Sequence, residues 1–219
     1  MTVSASALPP PLAAFALCCT ASWPLAALAD APQVMVTGQR QHYRSLSVTG
    51  ATKTETPLQD LPQSVRVLTG DLLDDAGVTT LAGALDLASG IARQSNLGGL
   101  WDSYAMRGFT GDPNFGSDYL VNGFNSSRGY NGLRDGANTD SVEILKGPAS
   151  ALYGRGEPGG TVNIVTKKPR FTPGYVAGFG IGSHGMRRSS ADLTGPLGEN
   201  LAYRLSAAYE EGGSFRDHV

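Results

Sequence analysis

The spacing of apolar side chains changes twice along this sequence, and each change marks a different kind of structure. In Ser64-Val65-Arg66-Val67-Leu68-Thr69, apolar and polar positions alternate as a half-buried strand requires. Asp71 can cap a short helix over 72–76, and Gly77 can stop it. Leu81, Leu85 and Ala88 then share one face of a second helix over 81–88, with Gly90 as its stop. Short strands follow near 104–107, 119–121, 142–146 and 161–166, separated by Gly-, Asn- and Asp-rich loops at 109–118 and 124–139. Helices and strands mixed in this way predict a compact α+β domain of roughly 120 residues.

After Lys167-Lys168-Pro169 the rhythm becomes strict alternation. Tyr175, Ala177, Phe179 and Ile181 are set against Val176, Gly178, Gly180 and Gly182. Leu201, Tyr203, Leu205, Ala207 and Tyr209 repeat the pattern against Ala202, Arg204, Ser206, Ala208 and Glu210. Between them, Ser189, Ala191 and Leu193 oppose Ser190, Asp192 and Thr194, and Gly195-Pro196-Leu197-Gly198 supplies a turn. Each segment has about the nine to eleven residues that a tilted, bilayer-crossing strand needs. Aromatics at both ends of the 203–209 segment suit an interfacial girdle. A water-soluble antiparallel sheet alternates too, with its apolar side turned inward.

The beginning of the chain follows neither rhythm. An apolar run from Leu12 to Cys19 precedes Ala27-Leu28-Ala29, a small-residue cleavage pattern, so residues 1–29 read as an export signal. From Asp30 to about Tyr43 the chain is polar and extended, apart from Val34-Met35-Val36-Thr37. A lone β-prone stretch on a tether can add a strand to another protein's sheet edge, and it can equally be an ordinary loose terminus.

Composition narrows the chemistry. Gly supplies 29 of 219 residues and charged residues only 16%, which points to tight turns and closely approaching backbones. A formal charge of -2, from 17 basic against 19 acidic residues, gives no field that would attract a nucleic acid. Both cysteines, Cys18 and Cys19, lie in the leader, so the exported chain has neither a disulfide nor a thiolate metal site. His42, His184 and His218 are scattered and suggest no metal cluster.

Gly154-Arg155-Gly156-Glu157-Pro158-Gly159 matches the dinucleotide-binding pattern letter for letter. That pattern works between a strand and a following helix, whereas here a helical run precedes it and the strand-like 161–166 follows. No nucleophile and base pair, paired carboxylates or phosphate loop can be assembled, so no enzyme activity is indicated.

Several linked blocks resemble the TonB-dependent siderophore receptors of the bacterial outer membrane. Ala51-Thr52-Lys53-Thr54-Glu55-Thr56-Pro57-Leu58-Gln59-Asp60-Leu61-Pro62-Gln63-Ser64-Val65 is similar to the start of their plug domain. Met106-Arg107-Gly108-Phe109 and Tyr119-Leu120-Val121-Asn122-Gly123 resemble internal blocks, although many relatives carry Asp where Asn122 stands. The longest block is Val142-Glu143-Ile144-Leu145-Lys146-Gly147-Pro148-Ala149-Ser150-Ala151-Leu152-Tyr153-Gly154, continued by 159–169.

The resemblance implies an α+β plug domain over 45–169, following a periplasmic extension over 30–44. The first three antiparallel transmembrane β-barrel strands, over 170–219, come next. The family has about 22 strands by resemblance, so the barrel is incomplete in this chain, which reads as truncated. Val34, Met35, Val36 and Thr37 become a TonB box that pairs with the TonB energy transducer complex. The long loops resemble plug apices that touch a ferric siderophore, with Phe109, Phe115, Tyr119, Phe124 and Tyr130 as candidate ligand-binding residues. Arg107, Glu143, Lys146, Arg155 and Glu157 would hold plug against barrel wall, where a polar lumen demands paired charges. Iron arrives already chelated, so neither a cofactor nor a protein metal ligand is implied. The expected partners are therefore the transducer, the ferric siderophore and outer-membrane lipid. A cobalamin or glycan importer and a secreted α+β enzyme are the rival readings.

Overall fold

The computed structural model describes residues 43–50, 53–95, 98–114, 116, 118–129 and 132–213. Its strands, in chain order, are β1 (Ser47–Val48), β2 (Thr56–Pro57) and β3 (Ser64–Thr69), which runs directly into helices α1 (Gly70–Asp75) and α2 (Leu81–Asp86). Next come β4 (Ile91–Arg93), β5 (Tyr104–Met106), β6 (Tyr119–Val121), β7 (Phe124–Asn125) and β8 (Thr139–Lys146). The short helix α3 (Ser150–Tyr153) precedes β9 (Gly160–Thr166). The long strands β10 (Gly174–Ile181), β11 (Arg187–Pro196) and β12 (Ala202–Glu211) complete the described chain.

A five-stranded sheet in the order β3-β8-β9-β6-β7 organises the α+β body. Every pairing in it is antiparallel except β6 with β9. Because side chains alternate across a strand, β8 sends Val142 and Ile144 to one face and Glu143 and Leu145 to the other. On β9, Val162 and Ile164 join the first face while Thr161 and Asn163 join the second. The first face packs with Leu68, Leu73, Leu81, Leu85, Tyr104 and Met106 into the main core. Val48, Val67 and Leu145 form a small cluster apart from it.

Helices α1 and α2 are capped one or two residues before the acidic or apolar run that betrays them. The Thr69 hydroxyl accepts from the Leu72 N–H at 3.4 Å, so Thr69 rather than Asp71 begins α1. Thr80 caps α2 in the same way through the Gly83 N–H at 3.2 Å. Gly90 adopts φ 82°, a conformation that favours glycine, and turns the chain into β4.

Strands β10, β11 and β12 form a separate antiparallel sheet. Its register sets Tyr175, Leu193 and Leu205 side by side, then Ala177, Ala191 and Ala207, then Phe179, Ser189 and Tyr209. This apolar side is bare: Tyr175, Phe179, Ile181, Leu205 and Tyr209 are 60–76% exposed. The opposite side carries Arg188, Ser190, Asp192, Thr194, Arg204 and Ser206, and it faces the α+β body. Asp192 and Thr194 are buried there. A water-soluble sheet packs its apolar side on the core and wets its polar side; this one does the reverse. No helix among the described residues is long and apolar enough to cross a membrane, which says nothing of strands.

Candidate functional site

The loops at the N-terminal end of β6 are organised around one buried cation. Arg128 is only 2% exposed. Its Nη2 faces the Asp118 carboxylate at 3.2 Å and donates to the Thr110 carbonyl. Its Nη1 reaches the carbonyls of Asp102 and Tyr104 at 3.4 Å each, and the guanidinium lies 4.3 Å above the Tyr104 ring. Among the described residues, Nε has no hydrogen-bond partner, and neither does Oδ1 of buried Asp102. The other Asp102 oxygen accepts the Arg134 N–H at 2.8 Å. Burial pushes the Asp118 carboxyl upward against the pull of Arg128, and burial does the same to Asp102. Arg128 thus ties together segments around Asp102, Thr110 and Asp118 from within the protein, and its charge is neutralised there rather than offered to solvent.

A second cluster holds the N-terminal strap of the body. Glu143, 4% exposed, projects from the reverse face of β8. It accepts the N–H groups of Thr49 at 3.0 Å and Gly50 at 2.7 Å, the Thr49 hydroxyl at 3.4 Å, and Nδ2 of its cross-strand neighbour Asn163 at 2.8 Å. Asn163 accepts in turn from the Gly123 N–H at 2.9 Å. The Tyr153 hydroxyl donates to the Gly50 carbonyl at 2.5 Å, and Lys53 sits 4.9 Å above the Tyr153 ring. A Cβ at Gly50 would come within 2.4 Å of the Glu143 carboxylate, so the strap can approach this closely only through glycine.

Body and three-stranded sheet meet through charge. Arg188 bridges Asp135 of the body at 2.6 Å and Glu210 of β12 at 3.0 Å. Arg204 pairs with Asp192, donates to the Lys168 carbonyl at 3.0 Å, and leaves Asp192 also facing Lys167 at 3.6 Å. The Arg170 N–H donates to the Thr194 hydroxyl at 2.9 Å. Polar gaps remain between the two parts, one lined by Tyr119, Arg134 and Asp135 against Ser206 and Ala208.

The structure separates the residues that the sequence grouped as ligand contacts. Phe109 is 46% exposed beside Gly159, at the loop end. Tyr119 is only 4% exposed and belongs to the main core. Phe124 is highly exposed, but it pairs with Val121 at the far end of β6, next to the Asn122-Gly123 turn that Thr166 holds. Phe115 and Tyr130 lie outside the described residues, as do Val34, Met35, Val36 and Thr37. Leu100 and Leu133 are exposed on loops of the Arg128 cluster, with Gly99 backed against Leu133. The Gly98-Gly99 pair, both at positive φ, marks a turn before Leu100 that the sequence could have shown.

Two of the charges expected to link the body to the wall are bonded within the body. Glu143 is spent inside the body on the strap, and Lys146 donates to the Ser89 hydroxyl at 2.8 Å. Arg107 is exposed, holds φ 54°, and its N–H caps the Gly90 carbonyl at 2.8 Å. Arg155 is exposed and Glu157 half-buried in the loop before β9. Among the described residues, Asp135, Lys167, Arg188, Asp192 and Arg204 form the ion pairs at the junction with the three-stranded sheet. Sequence alone missed them because an inward charge on a strand is indistinguishable from an outward one until the facing surface is known. The Gly-rich loop from Gly154 is followed by strand β9 and not by a helix, so it has no helix N-terminus to hold a pyrophosphate. Among the described residues no group of three or more His, Cys, Asp or Glu could hold a metal ion.

Comparison with known proteins places this geometry. Residues 57–161 match the TonB-dependent Receptor Plug Domain family. The metal-pseudopaline receptor CntO of Pseudomonas aeruginosa is 44% identical over 184 residues, covering 83% of this chain and 25% of that protein. The ferrioxamine receptor of Yersinia enterocolitica is 32% identical over 209 residues, covering 89% and 29%. Among solved structures, the pyoverdine outer membrane receptor FpvA of Pseudomonas aeruginosa superposes with a TM-score of 0.71 at 30% identity, over 83% of this chain and 27% of that one. The chain spans about a quarter of the length of the curated relatives it matches.

Proposed function

The chain belongs to the TonB-dependent receptors, with a plug domain followed by antiparallel barrel strands, and we propose that its protein imports a ferric siderophore across the outer membrane. The observation that carries this reading is the inverted three-stranded sheet. Its apolar side suits hydrocarbon, and its charged side is docked on a globular body that would stopper the pore. The chelate would settle on the loop end organised by Arg128, near Phe109, Leu100 and Leu133. Val34 to Thr37 would pair below with the TonB transducer by strand addition. Binding shifts an equilibrium only by its differential affinity, so accumulation against a gradient draws on the transducer's energy. The chain is no enzyme: its family and fold are those of transporters and receptors.

Residues 1–29 would direct export, and the domain boundaries at 44 and 169 follow from the same reading. The similarity to a metal-pseudopaline receptor favours one variant, in which the cargo is a metal chelate not restricted to iron. Both are tested by uptake of radiolabelled chelates into cells that lack the gene and carry it back on a plasmid. Transducer-dependent uptake of a ferric hydroxamate or catecholate is expected. Uptake of another metal's chelate alone would favour the variant, and uptake of cobalamin or a glycan in place of any chelate would refute both.

A further inference from the structure

We propose that Arg128 is the positioning residue that sets the mutual geometry of the chelate-facing loops. The inference rests on the uptake reading above and adds to it a mechanism of preorganisation. Three successive parts of the 102–118 stretch, around Asp102, Thr110 and Asp118, converge on one guanidinium. A single bridge between Met106 and Phe109 and the Tyr104 hydroxyl, which donates to the Asp118 carbonyl at 3.3 Å, are the other described links among them. A guanidinium offers a planar fork of donors, and this one uses that fork on three backbone carbonyls and a carboxylate while stacking on Tyr104. At 2% exposure it cannot touch a chelate, and its charge is met by Asp118. Its effect on binding is therefore indirect: it holds the loops so that the exposed Phe109, Leu100 and Leu133 are presented without an ordering cost on binding. A lysine keeps the charge but cannot span the same acceptors, which separates the two possible roles of a cation at this place.

The test compares Arg128→Lys and Arg128→Met in the receptor as produced in the outer membrane. It measures the half-saturating concentration and maximal rate of ferric-chelate uptake at two salt concentrations, with hydrogen exchange of the same receptors. Both substitutions should raise the half-saturating concentration about tenfold or more, as expected when a charge-assisted network is broken. Maximal uptake per receptor and the salt dependence should stay as they were. Exchange should quicken around Asp102 and Thr110 while β8 and β9 keep their protection. Normal affinity in Arg128→Lys with weak affinity in Arg128→Met would mean a direct charge contact and would overturn the proposal. So would unchanged affinity in both, or a loss of protection that reaches β8 and β9. If the unaltered receptor takes up no chelate, the uptake reading fails on its own, and exchange around Asp102 and Thr110 still decides whether Arg128 braces the loops.

Discussion

Replacing Glu143 with Gln should free the N-terminal strap of the plug while leaving the sheet beneath it intact. The carboxylate serves four donors: the Thr49 N–H and hydroxyl on one oxygen, the Gly50 N–H and Asn163 Nδ2 on the other. A glutamine has the same shape but one acceptor fewer. Its least disruptive placement sets the new amide against Thr49, whose hydroxyl can accept but whose N–H then faces another donor. One charge-assisted bond is lost outright and the bonds of the remaining oxygen become neutral. Hydrogen bonds to charged groups are worth about 1.5–3 kcal/mol and neutral ones about half that, so the strap should lose about 3 kcal/mol. That corresponds to roughly 100-fold faster exchange of the Thr49 and Gly50 amides if they open locally. Site-resolved hydrogen exchange on the receptor in detergent or nanodiscs measures this directly. Unchanged protection at Thr49 and Gly50 would refute the reasoning. Equal loss across β8 and β9 would refute it differently, by showing that Glu143 supports the sheet itself.

Arg188→Met removes the bridge between Asp135 and Glu210 and leaves two acids facing one another; because Asp135 is partly exposed, the expected loss is only about 1 kcal/mol, seen as a lower thermal midpoint and partly restored by adding Asp135→Asn. The same link should fade in acid. Burial alone would raise the Asp135 pKa, but bonds from Arg188 and the Ala137 N–H, with the field of nearby arginines, leave it lowered. Its contribution is then complete above the ordinary carboxylate pKa and disappears as pH falls below about 4, so the stability difference between wild type and Arg188→Met should shrink in that range. Gly159→Ala would place a Cβ 2.2 Å from the Met106 carbonyl oxygen; a clash with backbone should cost at least about 1–3 kcal/mol and lower the yield of folded receptor in the membrane fraction.

Much of the plug was legible because its elements announce themselves locally. Alternation in Ser64 to Thr69 and the β-branched run from Thr161 to Thr166 needed no partner to be recognised as strands. The pairs β1 with β2 and β6 with β7 were not legible as ladders, since two-residue strands carry no periodicity and exist only because a neighbour offers hydrogen bonds. The same limit applies to side-chain roles. Tyr119 and Phe124 look alike as loop-flanking aromatics, yet β6 turns one into the core and sends the other to its far end. Arg128 stands in Ser-Ser-Arg-Gly-Tyr like any solvated loop cation, and nothing before the fold reveals that the carbonyls of Asp102, Tyr104 and Thr110 surround it. Glu143 was expected to face the barrel wall, whereas its partners Thr49 and Gly50 lie within the plug more than ninety residues away in sequence. The barrel strands were the clearest case, because lipid and a wet stopper impose opposite chemistry on alternate residues and leave that record in the sequence.

A barrel requires the apolar side of β10, β11 and β12 to meet hydrocarbon, and collision accessibility of single spin labels in reconstituted receptor measures that side directly. Labels at Phe179, Leu205 and Tyr209 should be reached by membrane-dissolved oxygen and shielded from a water-soluble nickel chelate, with labels at Ser190 and Ser206 shielded from oxygen in the lipid phase. Labels at Phe179 and Leu205 that respond to the nickel chelate, or to neither reagent as in a closed protein core, would contradict the assignment of these strands to a membrane barrel.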